Sequence, residues 1–412
     1  MALIVQKFGG TSVAGIPQIQ NAARRIAYEC KRGHKVVAVV SAMAGMTDQL
    51  LNYIQATTPT PNPQEIDVVL ASGEQVTCGL LALALQNFNI SARSYLAWQI
   101  PLETDDTYTK ARVKEIPTHA IEKTLNSNSV PIIAGFQGIG SEKRLTTFGR
   151  GGSDVTAVAL AAVLKADRCD LYKDVSGIYT ADPRIVEQAR KLDQVGYKSM
   201  LELASLGSKV IQHRAVELAM GYKIPLRIFS SFEESIGTQI MDEEQMIERP
   251  LISGIVANKQ EVRISLEIPL EPAKTMALLF DRLAEAHIGV DMIQHAKISD
   301  GHAFSLSFTI NQSDLQTCVQ ILRDKNIITY SVDEKLTKIS VVGVGLRSHS
   351  HLTSILFQTL ATKNIELFGI STSEIRISVL IDQDFTELAV RTLHHAYGLD
   401  HNVSTPHLYA IA

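Results

Sequence analysis

Two glycine-rich stretches, each placed to open a helix, carry the residue types needed to hold an anion. The first is Lys7-Phe8-Gly9-Gly10-Thr11-Ser12, after the short apolar run Leu3-Ile4-Val5. Paired glycines let a backbone approach a ligand closely, and free N–H groups at a helix start favour phosphate oxygens. Lys7 would add positive charge beside a transferring phosphoryl group. Read alone, the stretch also fits a tight turn with a surface lysine; it is neither a Walker loop nor a dinucleotide fingerprint. The second is Gly149-Arg150-Gly151-Gly152-Ser153-Asp154, followed by small apolar residues over 156–162. These predict a buried helix with Ser153 as its cap and Asp154 in the first turn, where the helix dipole favours a carboxylate. A sharper role for Asp154 is to orient Lys7 and the attacking group. A facing pair of anion cradles points to phosphoryl transfer.

Other loops follow strand-like runs. Residues 41–48 (Ser41 to Asp48, with Thr47) come after the β-branched run 36–40. Such strand ends are where α/β proteins place ligand loops. Ser72-Gly73-Glu74 interrupts a helical stretch with a glycine, and residues 173–184 follow another strand end. In the latter, Tyr179 suits packing against a base or ribose and Arg184 suits a phosphate; a long surface loop is the plain alternative.

The elements that must position these loops alternate strand and helix over 1–230. A helix is expected at 17–31, with Pro17 in its first turn and Gly33 at its stop. Buried strands are expected at 36–40, 130–134 and 169–172, and a helix at 153–165. This order predicts a mainly parallel sheet covered on both sides. The charged stretch 241–250 reads as a boundary.

Beyond it the chain repeats itself. Residues 279–284 and 288–293 match 356–361 and 365–370 in the spacing of apolar positions. Each copy reads strand, helix, strand, strand and a further helix, which predicts two ferredoxin-like α+β domains. The expected division is 1–245, 250–335 and 336–412.

The composition is that of an ordinary globular chain: 412 residues, 45% hydrophobic, 20% charged, net charge −4. Nothing basic invites nucleic acid. No apolar run of about 20 residues suggests a membrane span, and the N-terminus lacks a signal-peptide pattern. Four scattered cysteines without a CxxC pair read as buried thiols in a reducing compartment, the cytoplasm.

The ordered motifs resemble the aspartokinase family over nearly the whole chain. They are residues 7–13, 41–48, 71–74, 135–138, 147–157, 174–184 and 200–210, continuing through a tandem ACT region to 370–378. The resemblance implies an amino-acid kinase fold, a three-layer α/β sandwich, followed by two ACT domains. It implies transfer of the ATP γ-phosphoryl group to the side-chain carboxylate of L-aspartate, the first step toward lysine, threonine and methionine. It carries Lys7, Asp154 and Arg150 over as catalytic. Ser41, Thr47, Glu74, Arg150, Gly151, Gly152 and Ser153 become aspartate contacts. Lys7, Phe8, Gly9, Gly10, Lys173, Asp174, Tyr179, Asp182, Arg184, Lys209 and Val210 become nucleotide contacts, with Mg²⁺ accompanying ATP and no dedicated protein metal site. Asp291, Met292, Ile293, Gln294, Asn364, Ile365, Ser371 and Thr372 become effector residues for lysine or threonine. ACT domains imply a homodimer.

The chain departs from the family pattern around Pro272-Ala273, at Gln294-His295, at Ala303-Phe304 and at Ser350-His351. The expectation there is altered feedback control. Two rival readings predict something else: a glutamate or N-acetylglutamate kinase would lack this first motif followed by tandem ACT units, and a non-catalytic sensor would have lost Lys7, Arg150 or Asp154.

Overall fold

A computed structural model describes residues 1–208, 210–246, 251–269, 272–297, 303–324, 329–344, 346 and 349–401. The chain forms two compact units, Met1–Ile178 with Lys191–Arg249, and Tyr179–Arg190 with Pro250–Ala412.

The first unit is built on an eight-stranded sheet. Its order is Gln194–Gly196, Thr238–Met241, Leu226–Ser230, Arg168–Lys173, Leu3–Phe8, Lys35–Val40, Val130–Ala134 and Ala92–Tyr95. All neighbours are parallel except Leu226–Ser230 against Thr238–Met241. Strand side chains alternate between faces. Phe8, Val36, Ala38 and Val40 therefore point to one face, where they pack with Ile19, Ala23 and Ile26 of the Ile16–Lys31 helix and Leu81 and Leu85 of the Ser72–Gln86 helix. Lys7, next to Phe8, points the other way, toward the Gly152–Val163 helix. A small sheet of Val113–Glu115, Glu103–Thr104, Gln137–Ile139 and Leu145–Thr147 flanks the main one.

The expected elements at 17–31, 36–40, 130–134, 153–165 and 169–172 are present with shifts of a residue or two. Ser153 is not the helix cap. Gly151, at φ +72°, takes that place, so the helix starts at Gly152 and Ser153 lies inside its first turn. Gly151 takes a left-handed angle that is costly for serine, which moves the cap two residues earlier. The helices Pro63–Leu70 and Ser72–Gln86 form a run, Pro63–Gln86, long and apolar enough by length and composition to cross a membrane. Half of its most apolar window is buried, and Leu81 and Leu85 serve the core, so it reads as a core helix.

The second unit holds two four-stranded antiparallel sheets. One, ordered Val290–Lys297, Ala303–Asn311, Glu261–Pro269, Tyr330–Asp333, carries the helices Pro272–Glu285 and Leu315–Asp324. This is a complete strand–helix–strand–strand–helix–strand unit. The other, ordered Gly254–Asn258, Leu336–Val342, Arg376–Asp382, Gly369–Thr372, carries Ser350–Thr362 and Thr386–Ala396. Its outermost strand precedes the whole first repeat in sequence. The first repeat is thus inserted into the second, an interleaving that the linear ranges 250–335 and 336–412 do not contain. Residues 179–190 join the second unit's core through Ala181 and Val186, beside Ile255, Ile339 and Leu393. Thr180 fixes them further: its carbonyl accepts the Ile255 N–H at 2.8 Å, and its Oγ1 lies 2.9 Å from His394 Nε2.

Candidate functional site

The first strand ends at Phe8, and the chain turns through Gly9-Gly10 into a short helical turn, Thr11–Val13. Gly9 donates its N–H to the Tyr172 carbonyl at 3.2 Å. A Cβ on Gly9 would sit 3.5 Å from Lys7 Nζ, and one on Gly10 would press on the Ala42 carbonyl at 3.2 Å. Gly10 is therefore tight, whereas a Cβ on Gly9 would make only ordinary contact.

Lys7 and Lys173 occupy the C-terminal ends of adjacent parallel strands. The register pairs Lys7 with Leu171, so Lys173, two residues on, shares its face. Both reach Asp154, in the first turn of the opposing helix. Lys7 Nζ is 2.7 Å from Asp154 Oδ1, and Lys173 Nζ is 2.6 Å from Oδ2 and 2.9 Å from Oδ1. All three groups are buried or nearly so. Burial alone would raise the Asp154 pKa. The ammonium groups of Lys173 and Lys7 outweigh it and hold the carboxyl far below its usual range. Burial takes Lys173 down to about 8, against the pull of Asp154, with Lys7 adding to the fall. The cluster carries two positive charges and one negative: a fixed, net cationic platform between the two glycine-rich loops.

Glu74 lies on the Ser72–Gln86 helix and is 3% exposed. Its Oε1 accepts the Ala42 N–H at 3.0 Å, while Oε2 is buried without a hydrogen-bond partner among the described residues. Burial pushes its carboxyl up to about 7, opposed by the Ala42 and Glu74 N–H groups and by Lys7. A buried carboxylate oxygen left unpaired is costly, and an ammonium ion is the group that would relieve it. Ser41 donates its N–H to the Phe8 carbonyl at 3.1 Å, and Ala44 to Gly10 at 3.2 Å, so the 41–45 loop is packed on the 8–10 loop. Thr47 is half-buried in the Met46–Thr57 helix, and Arg150 is exposed between Gly149 and Gly151, both at positive φ. Ser153 is buried at the helix start: a Cβ on Gly135 would stand 2.8 Å from its Cβ.

The structure thus brings together Lys7, Gly9, Gly10, Ser41, Glu74, Ser153, Asp154 and Lys173. It gives other residues different surroundings. The Phe8 ring stacks on Tyr172 at 4.8 Å inside the core, so only its backbone remains for a ligand. Asp174 is exposed just after Lys173, and Val210 is half-buried. Lys209 lies outside the described residues. Tyr179, Asp182 and Arg184 belong to the second unit. There Arg184 Nη2 pairs with Asp182 at 2.7 Å.

Also in the second unit, the Asp291 carboxylate contacts the Lys338 ammonium, which Glu261 holds as well, and Arg376 stands 3.7 Å away. Met292 is buried beside Leu336 and Leu380, and Ile293 is half exposed. Gln294 Nε2 donates to the Ile370 carbonyl at 3.3 Å. Asn364 takes φ +54° after its helix, Ile365 is buried, and Ser371 and Thr372 pair with Ser378 and Ile377.

Sequence reasoning gave Lys173 to the nucleotide and did not connect it with Asp154. The available signal was register: two lysines at the ends of strands expected to be parallel neighbours. It also passed over Asp67, a wholly buried carboxylate.

Comparison with known proteins adds independent findings. Residues 2–230 match the amino acid kinase family and residues 339–397 an ACT domain. The aspartokinase of Pseudomonas aeruginosa is 44% identical over 407 residues, covering 97% of this chain and 98% of that protein. Aspartokinase 2 of Bacillus subtilis is 41% identical over 408 residues, covering 98% and 100%. Among solved structures, aspartate kinase from Synechocystis is 34% identical, with a TM-score of 0.55 over 96% of this chain and 69% of that one. E. coli aspartokinase III, solved with aspartate and ADP, shares the fold, with a TM-score of 0.82 over 96% and 99% at 24% identity.

Proposed function

The chain belongs to the aspartate kinase family, and from that premise we propose how its first unit moves the γ-phosphoryl group of ATP onto the side-chain carboxylate of L-aspartate. The acceptor is a carboxylate with an ordinary pKa of about 3.9, already ionised at neutral pH. No general base is needed. The obstacle is repulsion between an anion and a polyanion, so catalysis reduces to positioning and fixed positive charge.

The observation that carries this reading is the Lys7–Asp154–Lys173 bridge. Asp154 holds both ammonium groups in place, and its single charge leaves the pair net positive. The Gly9 and Gly152 N–H groups already serve the Tyr172 and Gly149 carbonyls, which leaves those of Gly10 and Gly151 to favour an anion. Glu74 takes the α-ammonium of aspartate on its unpaired oxygen, and Arg150 clamps the α-carboxylate in a forked geometry. Ser41, Thr47 and Ser153 line the same substrate. Magnesium arrives with ATP as part of the substrate. The products are 4-phospho-L-aspartate and ADP.

The ACT region fits an amino-acid effector, lysine or threonine. The engagement of Asp291 by Lys338 favours feedback that differs from the usual pattern. Ile293 and Ile370, exposed on two strands that lie beside each other, offer an apolar surface that suits a second copy, hence a homodimer. Four unpaired cysteines favour the cytoplasm.

The test is formation of aspartyl hydroxamate from ATP, Mg²⁺ and aspartate with hydroxylamine as trap, with glutamate as control and with lysine and threonine added separately and together. Hydroxamate with aspartate alone supports the reading. Its absence from folded protein under every condition overturns it.

A further inference from the structure

Asp67 stands seven residues before Glu74, on the Pro63–Leu70 helix that leads into the helix carrying Glu74. Its side chain is fully buried, and no cation pairs with it among the described residues. Its lone pairs are filled by neutral donors. Oδ2 accepts the N–H of Thr109 at 2.9 Å and of Thr147 at 2.8 Å, and Oδ1 accepts the Thr147 hydroxyl at 2.6 Å. One carboxylate therefore ties together two chain segments, which also meet through Ala111 N–H to the Thr147 carbonyl at 2.9 Å.

Both segments lie at the root of the loop that carries Arg150. Thr147 is two residues before Gly149. The Thr109 carbonyl lies against Gly149, where a Cβ would sit 3.1 Å from it. Thr109 holds φ +66°, a region a β-branched residue enters only when its surroundings impose it. Its N–H bond to Asp67 is part of that imposition. From the His213–Tyr222 helix, Arg214 donates to the Ala111 carbonyl at 2.8 Å and the Phe148 carbonyl at 3.4 Å. The loop root is held twice, and Asp67 is the buried one of the two anchors.

We propose that Asp67 is a positioning residue for substrate: it sets the root of the 149–152 loop so that Arg150 meets the α-carboxylate of the amino acid whose ammonium Glu74 holds. This rests on the reading of Arg150 and Glu74 given above. Asp67 and Glu74 belong to one helical run, so the groups at the two ends of the amino acid are indexed to the same scaffold. Thr147 is its relay.

Steady-state kinetics of the full chain with Asp67→Ala, Asp67→Asn and Thr147→Val test this. Asparagine can keep the pattern, its oxygen accepting both N–H groups and its NH₂ donating to the Thr147 hydroxyl. Asp67→Ala is expected to raise the KM for aspartate at least about tenfold, since small displacements of a positioning group are felt at the reacting centre, with the KM for ATP within about twofold. Asp67→Asn should stay within about threefold of the parent for aspartate, and Thr147→Val should fall between the two. The proposal is overturned if Asp67→Ala leaves the aspartate KM unmoved, if both KM values rise together, or if Asp67→Asn is as damaging as Asp67→Ala. Should Asp67→Ala not fold, an unmoved aspartate KM in Thr147→Val overturns it equally. The parent enzyme separates the two claims. No hydroxamate from the parent removes the functional reading and this proposal with it, whereas normal parent turnover with an unmoved KM in the variants removes this proposal alone.

Discussion

Lys173 places its ammonium within 2.9 Å of both oxygens of Asp154, while Lys7 takes a share of one of them. Three buried charges are thereby locked into one geometry before substrate arrives. Catalysis by fixed charge depends on such preorganisation, because the groups need not reorient as charge develops.

Lys7→Ala is expected to lower kcat by about 100-fold to 1000-fold, the usual loss when one preorganised donor to the transition state is removed. The KM for aspartate should change far less. Initial-rate kinetics in both substrates check the split, and an unchanged kcat would remove Lys7 from the phosphoryl site.

The Lys173 pKa of about 8 sets an alkaline limb on kcat. As pH rises through 8, the ammonium loses its proton and the platform loses a charge. Asp154 opposes the effect of burial, so Asp154→Asn should shift the limb to lower pH. Lys7 lowers the Lys173 pKa, so Lys7→Met should shift the remaining limb upward. Limbs that stay fixed in both variants would show that another group titrates.

Glu74, with a pKa raised by burial to about 7 from an ordinary 4.5, must be ionised to receive an ammonium. The kcat/KM for aspartate should therefore climb through pH 7 and level off above it. Without substrate the linkage runs the other way. The folded state holds the proton more tightly than the unfolded chain, so Glu74 favours folding below about 4.5 and loses that contribution as pH rises through 7. Glu74→Gln should accordingly raise the melting temperature at pH 8 while abolishing aspartate binding. A lower melting temperature for the variant at pH 8 would contradict the assigned burial cost.

Lys338, 3% exposed, is shared by Glu261 and Asp291 within the second unit. Lys338→Met strands two carboxylates there and should cost about 3–5 kcal/mol, the usual penalty for removing one partner of a buried ion pair. Adding Glu261→Gln and Asp291→Asn should recover part of it, since neutral partners need no counter-ion. Denaturant unfolding of the full chain reads both effects, and a Lys338→Met variant as stable as the parent would mean the pair is solvated.

Gly135 has no room for a side chain: a Cβ would meet Ser153 Cβ at 2.8 Å and the Val40 carbonyl at 2.9 Å. Gly135→Ala should cost about 1–3 kcal/mol through overpacking, and it should raise the aspartate KM by displacing Ser153. A variant with parent-like stability and KM would show that the helix start yields at no expense.

The sequence by itself determined the chemistry and the order of parts. Lys7, the two glycine loops and Asp154 were readable because anion binding at a helix start is a local property, written in adjacent residues. The mainly parallel sheet followed from β-branched runs separated by helical patterns, and the ferredoxin-like repeats from the matched spacing of apolar positions. Partners distant in sequence were decided only by the tertiary structure. Lys173 belongs with Asp154 because two parallel strands align their ends, a register that no local pattern states. Gly254–Asn258 completes a sheet whose other strands begin about eighty residues later, because an edge is satisfied by whichever strand arrives beside it. Asp67 took its place for the same reason. A carboxylate on an apolar helix looks like an ordinary surface charge until the fold buries it and requires that Thr109 and Thr147 be there to receive it.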